Sequence, residues 1–436
     1  MPAPAVSSRP HVTVIGAGLV GLASARALLN AGHRVRLIDR CDAVGQGASA
    51  RNGAQLSYAY VAPLASPALW HQLPSLLLKP DSPLRLSPRG VLQDLRWCLA
   101  FLAACRGAAA RRTTVALLEL AALSRRELER WRDEGGAPDV RQNGKLVLLP
   151  DAAAFASART QMALQARLGC QQQALDADAC RRLEPALADA ATPFAGGIHT
   201  PGECVVDPMA MSGALLAALQ RHPDFELRLG CEVIGARRRN DSVEALRLAG
   251  ADDLPVEQLV LAGGPGSAAL ARRLDLSLPV APMKGYSIDL PADALTRWPT
   301  VSITDSARRV VFAPLLDGEC RRLRVAGMAE LVGQDLRIDP RRIAQLVEAT
   351  DAWFGLRVPA EAAVQNPWAG LRPATPSGLP CIGRFGGLRN VYANAGHGPL
   401  GLTLAMGSAA LLVSAMQQRA AAINPLPYAA GPLAWV

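Results

Sequence analysis

Two glycine-rich loops, nearly a chain length apart, hold most of the chemistry that the residue types suggest. Gly16-Ala17-Gly18-Leu19-Val20-Gly21 follows the strand-like HVTVI and opens an Ala/Leu-rich helical stretch, the setting in which G-x-G-x-x-G binds a dinucleotide. Backbone does the work there. Gly16 permits the tight turn, Gly18 lets a pyrophosphate approach the main chain at a helix N-terminus, and Gly21 allows close packing of helix on sheet. Asp39, closing the second strand, is placed to accept hydrogen bonds from ribose hydroxyls, with Arg40 beside it. NAD and FAD both remain open at this point. The second loop, NAGHGPLGLT from Asn394 to Thr403, again joins a strand to a helix. Its free N–H groups suit an anion or a dipole.

The elements that must position these loops follow from periodicity. HVTVI, the helical stretch to Ala31 and RVRLID form a first βαβ unit. VEQLVLAGG returns to a buried parallel sheet and ends at Gly263 and Gly264, and NVYANAG followed by GLTLAMGSAALLVSAM adds a last strand, loop and helix. Helical spacing of apolar residues between about Leu84 and Glu134 indicates at least two helices that need a partner surface. With 436 residues, the chain exceeds the roughly 250 to 300 at which one core stops growing. Two interleaved domains are expected, one of them visited three times.

Composition narrows the function classes. Half of the residues are hydrophobic, which excludes wholesale disorder. The net charge is +9, but all basic residues except Lys79, Lys145 and Lys284 are arginines, scattered in pairs such as Arg181-Arg182 and Arg341-Arg342. Scattered pairs describe a solvated surface rather than a nucleic-acid track, so no nucleic-acid partner is expected. Nine cysteines without a Cys-x-x-Cys fit neither a disulfide framework nor a metal site. MPAPAVSSRP lacks the features of a secretory signal, and the longest apolar run, Trp97 to Cys105, is too short to span a bilayer. A cytoplasmic location is expected.

Several motifs together resemble the FAD-dependent D-amino-acid oxidase superfamily, most closely its bacterial D-amino-acid dehydrogenase branch. They are GAGLVGLASARALLNAGHRVRLIDR, GASARNGAQLSYAYVAP, VLAGG, PMKGYSI, NPWAGLRPATPSGLPCIG and NAGHGPLGLT. The resemblance implies an α/β architecture: a glutathione-reductase-like Rossmann FAD domain (11–70, 200–280 and 362–436) with an interleaved mixed-sheet substrate domain (71–199 and 281–361). It also implies noncovalent FAD, since the cysteine motif of covalent flavoenzymes is absent although Cys381 stands near LRP.

Residue by residue, the resemblance assigns the substrate carboxylate to Arg372, whose guanidinium fork matches two carboxylate oxygens; capping local carbonyls is the alternative role. Tyr286 of PMKGYSI, at the domain junction with Lys284, is a candidate to share that carboxylate. Ser49, Asn52, Gly53 and Gln55 are expected along the isoalloxazine, and Val233 past the adenine. Gly396, His397, Gly398, Gly401, Leu402 and Thr403 would present a helix N-terminus to the flavin N1 and C2 carbonyl region. His397 reads as either a base or a packing residue. Tyr58 and Tyr60 read as either pocket walls or core. Pro399 and Leu402 depart from the branch, which more often has Thr and Trp there.

The implied reaction is oxidation of the Cα–N bond of a D-amino acid or a cyclic imino acid of the D-proline or D-hydroxyproline type, with a quinone or oxygen as acceptor. A quinone would require peripheral membrane contact, for which the 97–105 stripe is a candidate, or a partner subunit. The rivals are a glycine- or sarcosine-type oxidase and an RNA-modifying protein on the same fold.

Overall fold

The computed structural model describes residues 10–61, 65–67, 82–188, 190–318 and 320–430. His11–Ile15 buries its centre because it lies mid-sheet, paired in parallel with both Arg34–Ile38 and Gln258–Leu261. The six-stranded sheet containing it runs, by first residue, Cys381, Val391, Gln258, His11, Arg34, Phe225. Only Cys381–Arg384 is antiparallel to its neighbour. Helices Leu19–Asn30, Pro208–Gln220 and Gly401–Met416 share one apolar core on this sheet, and the long helix Gly107–Asp133 adds Leu117, Leu120 and Trp131 to it. The opposite face is covered by a three-stranded sheet through Leu246 and Leu254.

A nine-stranded mixed sheet forms the second layer, in the order Gln365–Ala374, Ala281–Pro291, Cys320–Leu331, Val310–Asp317, Ser302–Asp305, Lys145–Leu149, Gly196–Thr200, Gln173–Asp176, with Leu84–Leu86 paired to Cys320–Leu331. Its apolar face packs on helix Pro340–Phe354, where Trp353 and Phe354 are buried against Phe194 and Phe312. This is the expected α/β plan. Two boundaries differ in detail. Gln365–Ala374, expected in the cofactor domain, is an edge strand of the large sheet, because its regular ladder is with Ala281–Pro291. Helix Gly107–Asp133, expected in the substrate domain, joins the core of the Rossmann layer. The proposed division at 70/71 lies outside the described residues.

One ionic cluster joins the layers next to the cleft. Asp289 is fully buried and accepts from Arg324, from Arg51 at 2.9 Å and from Asn366 at 3.3 Å, while Arg324 also donates to the Asn52 carbonyl at 2.9 Å. A substrate-sheet aspartate thereby fixes the loop at residues 51–52.

Candidate active site

A cleft of about 480 Å³ opens where the two layers meet. Its floor is the first glycine turn, with Gly16, Gly18 and Leu19; one wall is Asp39, Arg40 and Ser49; the opposite wall includes Gly263 and the run 394–398 with Gly401 and Leu402. Both glycine loops therefore belong to one site. Gly16 has φ +111°, and a Cβ there would fall 2.5 Å from the Ala262 carbonyl oxygen. A Cβ on Gly21 would sit 1.7 Å from the Gly16 carbonyl oxygen. Gly21 does not line the cleft; it lets the helix sit directly on the loop that does.

Several polar groups at this end suit a dinucleotide. The Asp39 carboxylate accepts the N–H of Ala17 at 2.6 Å and of Cys41 at 2.9 Å, which laces the turn to the end of the second strand. Ser49 Oγ accepts from Leu19 N at 3.2 Å, at the first residue of the helix. Asn394 donates to Ser24 Oγ at 2.9 Å, and its buried Oδ1 has no partner among the described residues. A close-approach glycine turn, a helix N-terminus and an orphaned acceptor fit FAD. Cys381 lies outside the cleft, and burial pushes its thiol up to about 12, leaving no reactive thiolate.

Other expected cofactor positions act at one remove. Asn52 lines the cleft, and its Oδ1 accepts from Ala54 N at 3.1 Å. Gly53 instead faces Val311, which a Cβ would meet at 2.9 Å. Gln55 donates to the Ile303 carbonyl at 3.3 Å across the domain seam. Thr403 is buried; its Oγ1 accepts from Ser57 N at 3.2 Å, so it ties the last helix to residues 55–57. Val233 begins a strand of the small sheet and accepts from Arg273 through its carbonyl, away from the cleft.

Arg372 occupies the large sheet beside the second loop, since Ala374 bridges to His397. Strand alternation puts Trp368, Gly370 and Arg372 on one face, together with Met283, Gly285 and Ser287 of the adjacent strand. The guanidinium lies flat over Gly285, where a Cβ would meet its Cζ at 2.3 Å. It donates to the carbonyls of Met328 at 2.6 Å and Gly327 at 3.3 Å. These carbonyls are available because the ladder is irregular there and Met328 has φ +59°. No carboxylate among the described residues pairs with Arg372, and burial lowers it to about 10. It stays cationic at neutral pH, although an unpaired buried cation is costly.

Tyr286 requires a correction. In the same ladder it alternates with Gly285, so it points to the opposite face from Arg372. Its phenol donates to Glu330 at 2.9 Å, and Glu330 also accepts from Arg342 at 2.6 Å. Burial and the Glu330 charge raise its pKa. Lys284 shares that face and donates to the Arg337 carbonyl. Neither side chain reaches a carboxylate held by Arg372. Tyr58 is also core: it is 8% exposed, with the Arg125 guanidinium 5.8 Å from its ring centroid.

His397 lines the cleft yet is 2% exposed. Burial lowers its pKa to about 3, so the ring is neutral. Its Nε2 lies 2.8 Å from Ser408 Oγ, whose single proton goes to the Leu404 carbonyl at 2.8 Å. That pattern assigns the imidazole proton to Nε2 and makes His397 a strut between loop and helix. Pro399 falls in a single 3₁₀ turn, Gly398–Leu400, before helix Gly401–Met416 begins. Leu402 is 5% exposed and faces the cleft.

Sequence reading missed Trp368, whose indole lies over Gly370 so closely that a Cβ there would meet Cη2 at 1.9 Å. It also missed Gln334 and Leu336, which border the cleft from the loop before helix Pro340–Phe354. The W-x-G-x-R alternation was a usable signal for Trp368; the loop offered none.

Comparison with known proteins identifies the family. The sequence profile of the family described as FAD dependent oxidoreductase matches residues 11–415. D-amino acid dehydrogenase 2 of Ralstonia nicotianae is 44% identical over 431 residues, covering 96% of this chain and 99% of that protein. The Pseudomonas aeruginosa protein of the same name is 44% identical over 416 residues, covering 95% and 96%. Glycine oxidase from Geobacillus kaustophilus superposes with a TM-score of 0.74 at 21% identity, covering 98% and 99% of the two chains, which speaks to fold alone. A chain with this profile match, these near-full-length relatives and a cleft of this shape belongs to the FAD-dependent oxidoreductase family, with FAD as its noncovalent cofactor.

Proposed function

We infer that the protein oxidises the Cα–N bond of D-amino acids or cyclic D-imino acids. The observation behind this reading is the buried guanidinium of Arg372, which has no acid partner among the described residues and lies on a strand whose Gly370, Leu371 and Pro373 line the cofactor cleft. A substrate carboxylate would supply the missing charge. The D configuration is supported by the two 44% identical relatives, both named D-amino acid dehydrogenase 2.

Bound FAD would supply the hydride acceptor for the substrate Cα. Gly16, Gly18 and the N-terminus of helix Leu19–Asn30 would hold its pyrophosphate, and Asp39 its ribose. Gly401 and Leu402 would set a helix N-terminus against its pyrimidine edge, where negative charge develops. Arg372 fixes the carboxylate, and Trp368 offers an apolar wall beside it. His397 is buried and engaged with Ser408, so its assigned role is structural rather than that of a base. A substrate amine that arrives neutral needs no protein base, and orientation with electrostatics does the work. Arg372→Leu should lower kcat/KM at least about tenfold, the loss of one charge-assisted bond, while FAD stays bound. Unaltered kinetics would sink the assignment.

Delivery of electrons to a membrane quinone is supported by one surface feature. In helix Leu95–Ala104 the aromatic residues Trp97 and Phe101 face inward and stack at 5.2 Å, so the expected stripe is core. The other side exposes Leu95 and Leu99 by 51% and 61%, next to Leu92 of the preceding helix Pro88–Gln93 at 76%, with Arg106, Arg111 and Arg112 of the following segment also exposed. Such a ridge suits the surface of an anionic bilayer. Flotation with anionic vesicles that persists in the Leu95→Ser/Leu99→Ser variant would exclude this ridge. Helix Gly398–Met416, though long and apolar enough to span, is mostly buried and belongs to the core.

A further inference from the structure

Lys145 begins the strand Lys145–Leu149 and is 5% exposed. Cross-strand pairing places it on the same face of the large sheet as Arg372. Arg372 opposes Met283; on that strand Ser287 follows by alternation and opposes Ala326; Ala326 opposes Val311, Val311 opposes Thr304, and Thr304 opposes Val147, two residues beyond Lys145. The ammonium donates to Ser57 Oγ at 2.7 Å and lies 4.9 Å from the ring centroid of Tyr60. No carboxylate pairs with it directly among the described residues. The carboxylate whose charge acts on it, Glu203, is 1% exposed and spends its oxygens on the N–H groups of Tyr58 at 2.6 Å and Ala59 at 2.7 Å.

This is a costly arrangement for a core, since a buried ammonium without an ion partner loses hydration that one hydroxyl and one ring only partly replace. Ser302, directly opposite Lys145, and Thr304 carry buried hydroxyls without partners among the described residues, so the polar cluster extends along the same face. What the lysine holds is Ser57. The Ser57 N–H donates to Thr403 Oγ1 at 3.2 Å, and Thr403 lies in the first turn of helix Gly401–Met416, directly after the cleft-lining Gly401 and Leu402. Lys145, Ser57 and Thr403 thus link the substrate sheet to the helix N-terminus that faces the flavin end.

We propose that Lys145 is a positioning residue for the flavin: by fixing Ser57 it keeps the first turn of helix Gly401–Met416 in register with the pyrimidine edge of the cofactor and so raises the flavin reduction potential. The claim goes beyond the amino-acid reading and needs only bound FAD, so its failure is independent of any substrate result.

The test is the two-electron midpoint potential and FAD dissociation constant of holoenzyme carrying Lys145→Met, Lys145→Arg, Ser57→Ala or the Met/Ala pair. Lys145→Met should disfavour reduction about tenfold, a shift of about 30 mV to more negative potential. Lys145→Arg should recover most of it. Ser57→Ala should reproduce the shift, and the double variant should be no worse than either single, because both break one linkage. A folded Lys145→Met enzyme with unchanged potential overturns the proposal, as does additivity in the double variant. Should Lys145→Met fail to fold, an unchanged potential in Ser57→Ala overturns it as well.

Discussion

Gly285→Ala adds one methyl group to a regular strand, yet it should disable the anchor for the substrate carboxylate. Gly285 pairs with Gly370 on one side, and its flanking residues Lys284 and Tyr286 pair with Glu330 and Gly327 on the other, so the backbone has little freedom to retreat. The new Cβ would lie 2.3, 2.4 and 2.5 Å from Cζ, Nη2 and Nη1 of Arg372. Ordinary contact needs about 3.5 to 4.0 Å. The guanidinium must therefore move by more than about 1 Å, giving up the carbonyls of Gly327 and Met328, and a displacement of that size at a reacting site costs about 10²-fold. The displaced group is the end of a flexible side chain, and alanine suits a strand better than glycine by about 0.5–1 kcal/mol. Overpacking typically costs about 1–3 kcal/mol, so with that gain the net loss of stability should stay below about 3 kcal/mol. Steady-state kinetics with the best substrate should show kcat/KM down about 100-fold with the flavin spectrum intact. A change within twofold would refute the placement of Arg372 as the carboxylate anchor.

Two further perturbations probe the supports of the site. His397 is neutral when folded, its pKa lowered from 6.5 to about 3; between those values the unfolded chain binds the extra proton. Stability is therefore complete above about 6.5 and falls by about 1.4 kcal/mol per pH unit as pH drops toward 3. In urea titrations at pH 7 and pH 5, the wild type should lose about 2 kcal/mol more than His397→Asn, and equal losses would show that the ring titrates freely. Asp289→Ala strands the buried Arg324 and should cost about 3–5 kcal/mol, read as a lower urea midpoint; a loss below about 1 kcal/mol would show that Arg324 is not left as an uncompensated buried charge.

The sequence was most informative where backbone chemistry leaves a pattern. The glycine spacing of residues 16–21, the strand before it and Asp39 after it specified one wall of the cleft, and the strand–loop–helix junction at 394–403 specified another. Tyr286 was misplaced for a physical reason: its neighbour Gly285 faces Arg372, and a one-residue step along a strand reverses the face, which is invisible until the register with Gln365–Ala374 is known. Arg372 was found through its motif, but the bulge at Met328 that frees two carbonyls for it lies 44 residues earlier in the chain. Lys145 and Glu203 reach Ser57 and Tyr58 only by packing between layers, so neither spacing nor composition marks them. Trp368 was legible in principle, two steps of strand alternation from Arg372.

Substrate oxidation can be read from the flavin itself, by following its band at roughly 450 nm under anaerobic conditions while D-amino acids, their L enantiomers, glycine, sarcosine and D-hydroxyproline are added in turn. One or more D-amino or cyclic D-imino acids should bleach the band rapidly, with L enantiomers inert, and the same substrates should bleach Arg372→Leu much more slowly. Bleaching by none of them, or equal rates in wild type and Arg372→Leu, would contradict the proposed function.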